Sequence, residues 1–376
     1  MSRLLLFAAL LAAAPFAHAQ EARPAARPNV EVVFCLDTTG SMGGLIGAAK
    51  QKIWAISNQI ATGTPTPILK VGLVAFRDRG DAYVTKVTDL TDDLDSIHAQ
   101  LQSFQAQGGG DFPESVNQAL HESVTKISWS KDKKTLKMIF LVGDAPPHDD
   151  YAQEPDTLTT TASAVKSGMT VNTIQCGADA GTREVWQTIA RRGEGRFFAI
   201  AQDGGVATVT TPYDARLSEL GNKLGSTYLA YGGGAGEAGR DYREGAAKRQ
   251  AASETKVMGA APAAAQADRA YNKALNKDAY VGDLLQSIEN GSVKLEEVKT
   301  EDLPDELQKL TPAERQKEVE RRMAERKKMR DEIVSLSKQR DEYITAERKK
   351  STGGQSGFDS AVASALKEQM ARKGIK

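Results

Sequence analysis

Three short segments hold hard oxygen donors at spacings that could serve one cation. Asp37-Thr38-Thr39-Gly40-Ser41-Met42 places a carboxylate and two hydroxyls, at Asp37, Thr39 and Ser41, on alternate positions of one loop. Leu141-Val142-Gly143-Asp144 ends an apolar run on a second carboxylate. Gly108-Gly109-Gly110-Asp111-Phe112-Pro113-Glu114 offers a third, Asp111, on a glycine-rich loop that opens a helix. Such donors suit Mg²⁺, Mn²⁺ or Ca²⁺ rather than zinc or copper. Two or three carboxylates brought together would repel one another without a cation between them. Glu114 and His148 are candidates for the rim of a ligand site beside them. Each segment alone also has a plain structural reading. Asp111 to Glu114 spells a helix capping box, Ser41 could cap a helix, and Asp144 before Ala145-Pro146-Pro147 could open a turn.

The elements that must position these loops follow from the apolar pattern. Val30–Leu36, Ile68–Phe76, Tyr83–Leu90, Leu136–Val142, Thr170–Cys176 and Arg196–Ile200 read as strands, several of them continuous apolar runs. Runs of that kind belong to strands buried on both faces. Helical segments are expected near residues 43–60, 92–104, 113–127, 156–167, 182–192 and 213–231. Strands alternating with helices predict a doubly wound, mostly parallel α/β sheet of six strands. In such sheets ligands bind beyond the carboxyl ends of the strands. Asp37 and Asp144 stand at two of those ends.

These blocks, in this order and strand context, resemble the von Willebrand factor type A superfamily, in its hemicentin-like branch. The likeness covers residues 29–231 and rests on Asp37-Thr38-Thr39-Gly40-Ser41-Met42, Gly108 to Glu114, and Leu141-Val142-Gly143-Asp144-Ala145-Pro146-Pro147-His148. It implies a sheet in the order 3-2-1-4-5-6, with strands one and four side by side. It also implies a metal-ion-dependent adhesion site in which Asp37, Thr39, Ser41 and Asp144 ligate a divalent cation, Mg²⁺ first, with Mn²⁺ or Ca²⁺ as alternatives. Asp111, or a close neighbour, stands where the family commonly has a threonine. The open coordination position of such a site accepts Asp or Glu from a protein partner. The functional expectation is a non-enzymatic, metal-dependent binding module. Its alternatives are a structural envelope protein with a fold-stabilising metal and, further off, a metal-dependent hydrolase. No His-Glu-x-x-His, P-loop or nucleophile-elbow pattern supports the hydrolase.

In the family's strand order, Cys35 and Cys176 would be separated by strand four, about 9–10 Å apart. That exceeds the roughly 7 Å reach of a disulfide between Cα atoms, so two buried thiols are expected. Arg79-Gly80-Asp81 reads as an ordinary loop after strand two. Gly234 to Gly239 matches a dinucleotide fingerprint by letter but lacks a preceding strand.

Composition bounds the rest. The chain has 376 residues with 49 basic and 49 acidic side chains, so no nucleic-acid field dominates it. Two cysteines and four histidines exclude a disulfide scaffold and histidine-rich metal catalysis. Arg3, the apolar run Leu4 to Ala17 and Ala17-His18-Ala19 read as a secretory signal peptide over residues 1–19, which predicts export to a periplasm or the secreted space. No later segment is apolar for long enough to span a bilayer. Residues 232–270 read as a flexible Gly/Ala-rich linker, 271–350 as a helical region and 351–376 as a terminal short helix. Thr311-Pro312-Ala313-Glu314 opens the long charged helix as a capping box. Met329, Ile333, Leu336 and Tyr343 form a weak heptad stripe broken by Arg340, with Arg322 and Arg326 at seam positions upstream. That stripe leaves two readings open, a docked or solvent-facing helix and a self-associating coiled coil over 313–350.

Overall fold

The computed structural model describes residues 27–200, 209–260, 262–276, 280, 282–350 and 356–376. The proposed signal peptide lies outside them. The first half alternates as β1 (Asn29–Asp37), α1 (Ile46–Ala61), β2 (Ile68–Phe76), β3 (Thr85–Thr91), α2 (Leu94–Ser103), α3 (Val116–Thr125), β4 (Leu136–Gly143), α4 (Thr157–Lys166), β5 (Met169–Cys176), α5 (Ala180–Arg192) and β6 (Glu194–Ile200). Helices follow: α6 (Asp214–Gly225), α7 (Gly236–Ala260), α8 (Ala263–Leu275), α9 (Leu284–Glu289), α10 (Asp305–Gln308), α11 (Pro312–Lys350) and α12 (Ser356–Ala371).

The six strands form one sheet in the order β3-β2-β1-β4-β5-β6. Every neighbour is parallel except the β2–β3 edge pair, which is antiparallel. β1, β4 and β5 are central and buried along nearly their whole length; the apolar runs Val32–Leu36 and Met138–Val142 fit burial on both faces, while β5 also buries Asn172, Thr173 and Gln175. Alternate residues of β1 feed two cores. Val30, Val32, Phe34 and Leu36 face Ile53, Trp54 and Ile60 of α1, while Val33 and Cys35 face Val116 and Leu120 of α3 and Trp186 of α5. Among the described residues, aspartates set four helix starts: Asp93, Asp156, Asp179 and Asp283 accept the backbone N–H of Ser96, Thr159, Thr182 and Gln286. Cys35 and Cys176 are buried free thiols on β1 and β5, with β4 between them.

Two departures from the sequence reading concern the second half. The stretch 232–270, expected as a flexible linker, carries α7 and α8. α8 packs Ala267 and Ala270 against α6, and charge ties it to α7 and to α2. Arg269 Nη1 and Lys273 Nζ reach Glu254 at 2.7 and 2.6 Å, and Arg269 Nη2 reaches Asp95 of α2 at 2.7 Å, all four side chains being buried. Against burial, which pushes it up, the Arg269 and Lys273 charges hold the Asp95 carboxyl below its ordinary range.

The other departure is the domain boundary. Val362, Ala365, Leu366 and Met370 of α12, with Ile375 after it, join the core formed by β1, β6 and α1. Residues 29–231 therefore do not enclose the sheet alone, and the helical region is an excursion between β6 and the helix that covers it. The helix expected to close the domain, α6, instead packs with α8 and α11 around Leu217, Leu220, Ala270, Tyr280 and Ile333. α11 opens on the anticipated capping box, with Thr311 N–H donating to Glu314 Oε2 at 2.9 Å. Among the described residues, no helix is long and apolar enough to cross a membrane.

Candidate functional site

The parallel register places Leu36 beside Val142, so Asp37 and Asp144 leave adjacent strand ends together. Between them the loop residues form a continuous chain of oxygen contacts. Asp37 Oδ1 accepts the Thr39 backbone N–H at 2.9 Å and the Thr39 hydroxyl at 2.6 Å. Thr39 Oγ1 lies 3.1 Å from Ser41 Oγ, which donates to Asp144 Oδ1 at 2.8 Å. The second oxygen of Asp37, Oδ2, is buried and has no hydrogen-bond partner. Asp37 and Thr39 are fully buried, whereas Ser41 is exposed, so the group opens to solvent along Ser41.

Neighbouring backbone holds the loops at this spacing. Thr38 donates its hydroxyl to Phe76 O at 2.8 Å, and Arg77 Nε donates to Thr38 O at 3.1 Å. Gly40 N–H donates to Gly108 O at 2.9 Å, and a Cβ on Gly40 would come within 2.7 Å of that oxygen, so only glycine admits this approach. On the other side, Thr182 Oγ1 and Trp186 Nε1 of α5 donate to the carbonyls of Asp144 and Ala145 at 3.2 and 3.1 Å. Gly143 sits against the buried carboxylate, where an added Cβ would meet Asp37 Cβ at 2.8 Å.

The glycine-rich loop contributes Glu114 to this group. Its Oε1 lies 3.1 Å from where a Cβ on Gly109 would stand, and that same point is 3.4 Å from Thr39 Cβ. Asp111 is placed elsewhere: its exposed side chain has Oδ1 3.6 Å from His148 Nε2. It caps nothing on α3, which begins only at Val116. His148 in turn lies beside Asp78. Asp78 was not singled out in the sequence, although it follows the end of β2 by the same strand-end rule that found Asp37 and Asp144. Arg79-Gly80-Asp81 is engaged internally, with Arg79 Nε 2.8 Å from Glu154 Oε1 and Asp81 accepting the Gly109 N–H at 2.9 Å.

Electrostatically the group is short of positive charge. Burial pushes Asp37 up to about 7, with the Thr39 hydrogen bond opposing and Asp144 adding to the rise. Burial likewise raises Asp144, opposed by the Ser41 hydrogen bond. Glu114 goes up to about 9, through burial first and then the charges of Asp37 and Asp78. Burial raises Cys176 as well, and the two aspartates add to it. The residues fit a hard divalent cation on three counts: all donors are oxygens, one buried carboxylate oxygen is orphaned, and the carboxylates destabilise one another until positive charge arrives.

Fold and site together define a doubly wound α/β domain with an oxygen-rich centre at the carboxyl edge of its sheet. Residues 31–211 match the family described as "von Willebrand factor A domain", and the sheet order over that span is the one the resemblance implies. The human von Willebrand factor A domain-containing protein 7 is 36% identical over 124 residues, which cover 33% of this chain and 13% of that protein. The rat protein of the same name shows the same identity and coverage. The chain thus spans about an eighth of the length of these relatives. Among solved structures, the VWA domain of SpRpn10 is 15% identical with a TM-score of 0.36, covering 46% of this chain and 89% of that one.

Proposed function

We propose that the protein is a non-enzymatic, divalent-metal-dependent protein-binding module of the cell envelope or secreted space. Domains of this family are interaction modules, and the observation that carries the metal-dependent reading is the orphaned Oδ2 of Asp37 within the Asp37–Thr39–Ser41–Asp144 chain. Asp37, Thr39, Ser41 and Asp144 would hold the cation, with Glu114 adjoining; the hard oxygen donors suit Mg²⁺, Mn²⁺ or Ca²⁺, and the family resemblance puts Mg²⁺ first. When bound, the cation offers a Lewis-acidic position to an Asp or Glu of the partner. This chain's residues bury one side of the centre and leave the Ser41 side open.

The test is calorimetric titration of the full chain with Mg²⁺, Mn²⁺ and Ca²⁺, paired with affinity capture from the native envelope with and without EDTA. Heat of binding that is absent in Asp37→Ala, together with EDTA-sensitive capture, is the expected result. Capture unchanged by EDTA and by Asp37→Ala would replace this reading with the structural one.

A further inference from the structure

A second group of metal-type donors stands beside the first and shares none of its ligands. Asp78, Asp111 and His148 each offer one ligand atom, and those atoms all lie within 4.8 Å of one another. His148 is only 3% exposed, yet its Nε2 has no hydrogen-bond partner and points between two carboxylates, 3.5 Å from Asp78 Oδ2 and 3.6 Å from Asp111 Oδ1. The other ring nitrogen is committed, with Nδ1 2.7 Å from Asp150 Oδ1. A carboxylate on the far nitrogen is the arrangement that fixes the tautomer and turn of a metal-binding histidine. The ring is held flat against Tyr151, with centroids 3.8 Å apart and planes 14° from parallel. Tyr151 in turn donates its hydroxyl to Asp78 Oδ2 at 2.9 Å, and Ser115 donates to Asp78 Oδ1 at 3.1 Å. Asp78 and His148 are thus buried and braced, while Asp111, 64% exposed, closes the group from the solvent side. Arg79 faces Tyr151 at 5.5 Å from its ring centroid and is paired with Glu154.

We propose that Asp78, Asp111 and His148 form a second cation site, selective for a divalent transition metal of the zinc or manganese kind. One imidazole nitrogen with two carboxylate oxygens is a softer donor set than the oxygens around Asp37, so the two centres differ in the metal they prefer. Three protein ligands with an exposed side leave room for water or for a partner's own ligand. The glycine-rich loop then serves both centres, Glu114 at the first and Asp111 at the second. This inference goes beyond the proposed function and does not depend on it.

Co²⁺ is the probe, because a four- or five-coordinate protein site strengthens its visible absorption well above that of the hydrated ion. The full chain is first saturated with millimolar Mg²⁺ and then titrated with Co²⁺. One equivalent is expected to bind, with affinity at least tenfold weaker in His148→Gln and in Asp111→Asn, and with the band retained in Asp37→Ala. Asp111 is exposed, so its variant keeps the test sound should a change at buried His148 disturb the fold. Absence of a band up to millimolar Co²⁺, or binding equally strong in both variants, would overturn the proposal. Loss of the Mg²⁺ heat in Asp37→Ala reports on the first centre separately.

Discussion

At the scale of single residues, the site depends on positions where no side chain is allowed. Gly143 packs so closely against Asp37 that Gly143→Ala must displace the carboxylate or the strand end. We expect Gly143→Ala to weaken divalent-cation binding at least tenfold while the domain still folds, as calorimetry and circular dichroism would show together. A different residue sets acid sensitivity. Burial pushes His98 down to about 3, with Arg269 adding to the fall and Asp95 opposing it. Its folded-state value is below the unfolded one, near 6.5. Between those values the unfolded chain binds the extra proton, so stability is full above 6.5 and is lost as pH falls toward 3, by up to about 1.4 kcal/mol per pH unit. His98→Phe should flatten that part of a urea-unfolding pH series; an unchanged slope would exclude His98 as its source. Asp37, Thr39, Ser41 and Asp144 were legible because motif and strand end coincide. The distinction between Asp111 and Glu114 was not, since three successive glycines leave the direction of that loop undetermined in one dimension.

At the scale of elements, the strands were legible and the later helices only partly so. Largely apolar runs marked β1, β2 and β4 to within a residue or two, and β-branched residues marked β5. α7 escaped because its anchor is ionic: Arg243 donates to the carbonyls of Gly232 and Glu301 at 3.0 and 2.9 Å, and Glu254 meets Arg269 and Lys273. Apolar periodicity cannot register an element held in this way. The same logic explains α11. Arg326 and Arg340 fall on the Met329–Ile333–Leu336 face, where they weaken the heptad stripe; in the fold they are buried against Asp283 and against Asp214 and Asp268. The stripe is occupied within the chain by α6 and α8, so self-association along this face would require their displacement. Removing one partner from a buried ionic group strands the others without compensation. Arg269→Met is therefore expected to destabilise the protein by about 3–5 kcal/mol, read from the denaturation midpoint; a loss under 1 kcal/mol would show the network to be dispensable.

For the whole molecule, the sheet and the helical excursion are joined by α12 in the sheet core and by the Asp95–Arg269 ion pair between α2 and α8. Leu366 is buried among residues of β1, β6 and α1, far from it in sequence. Leu366→Ala should cost about 2–5 kcal/mol, and should lower a single unfolding transition rather than release α12 alone. Tryptophan fluorescence, reporting Trp54 and Trp186 in the two cores, distinguishes these outcomes. This closure was not legible because the segment that ends the excursion carries no strand or site motif. Its apolar positions could face any partner.

That closure also orders events in time. A ribosome delivers β1 to β6 first, then the whole run of α6 to α11, and only afterwards the apolar residues that roof the sheet. Until then the β6 side of that sheet face, around Ile200, lacks part of its cover, and long-range closure of this kind is slow and open to aggregation. A nascent chain of this protein needs shielding after all six described strands have been made and until α12 follows.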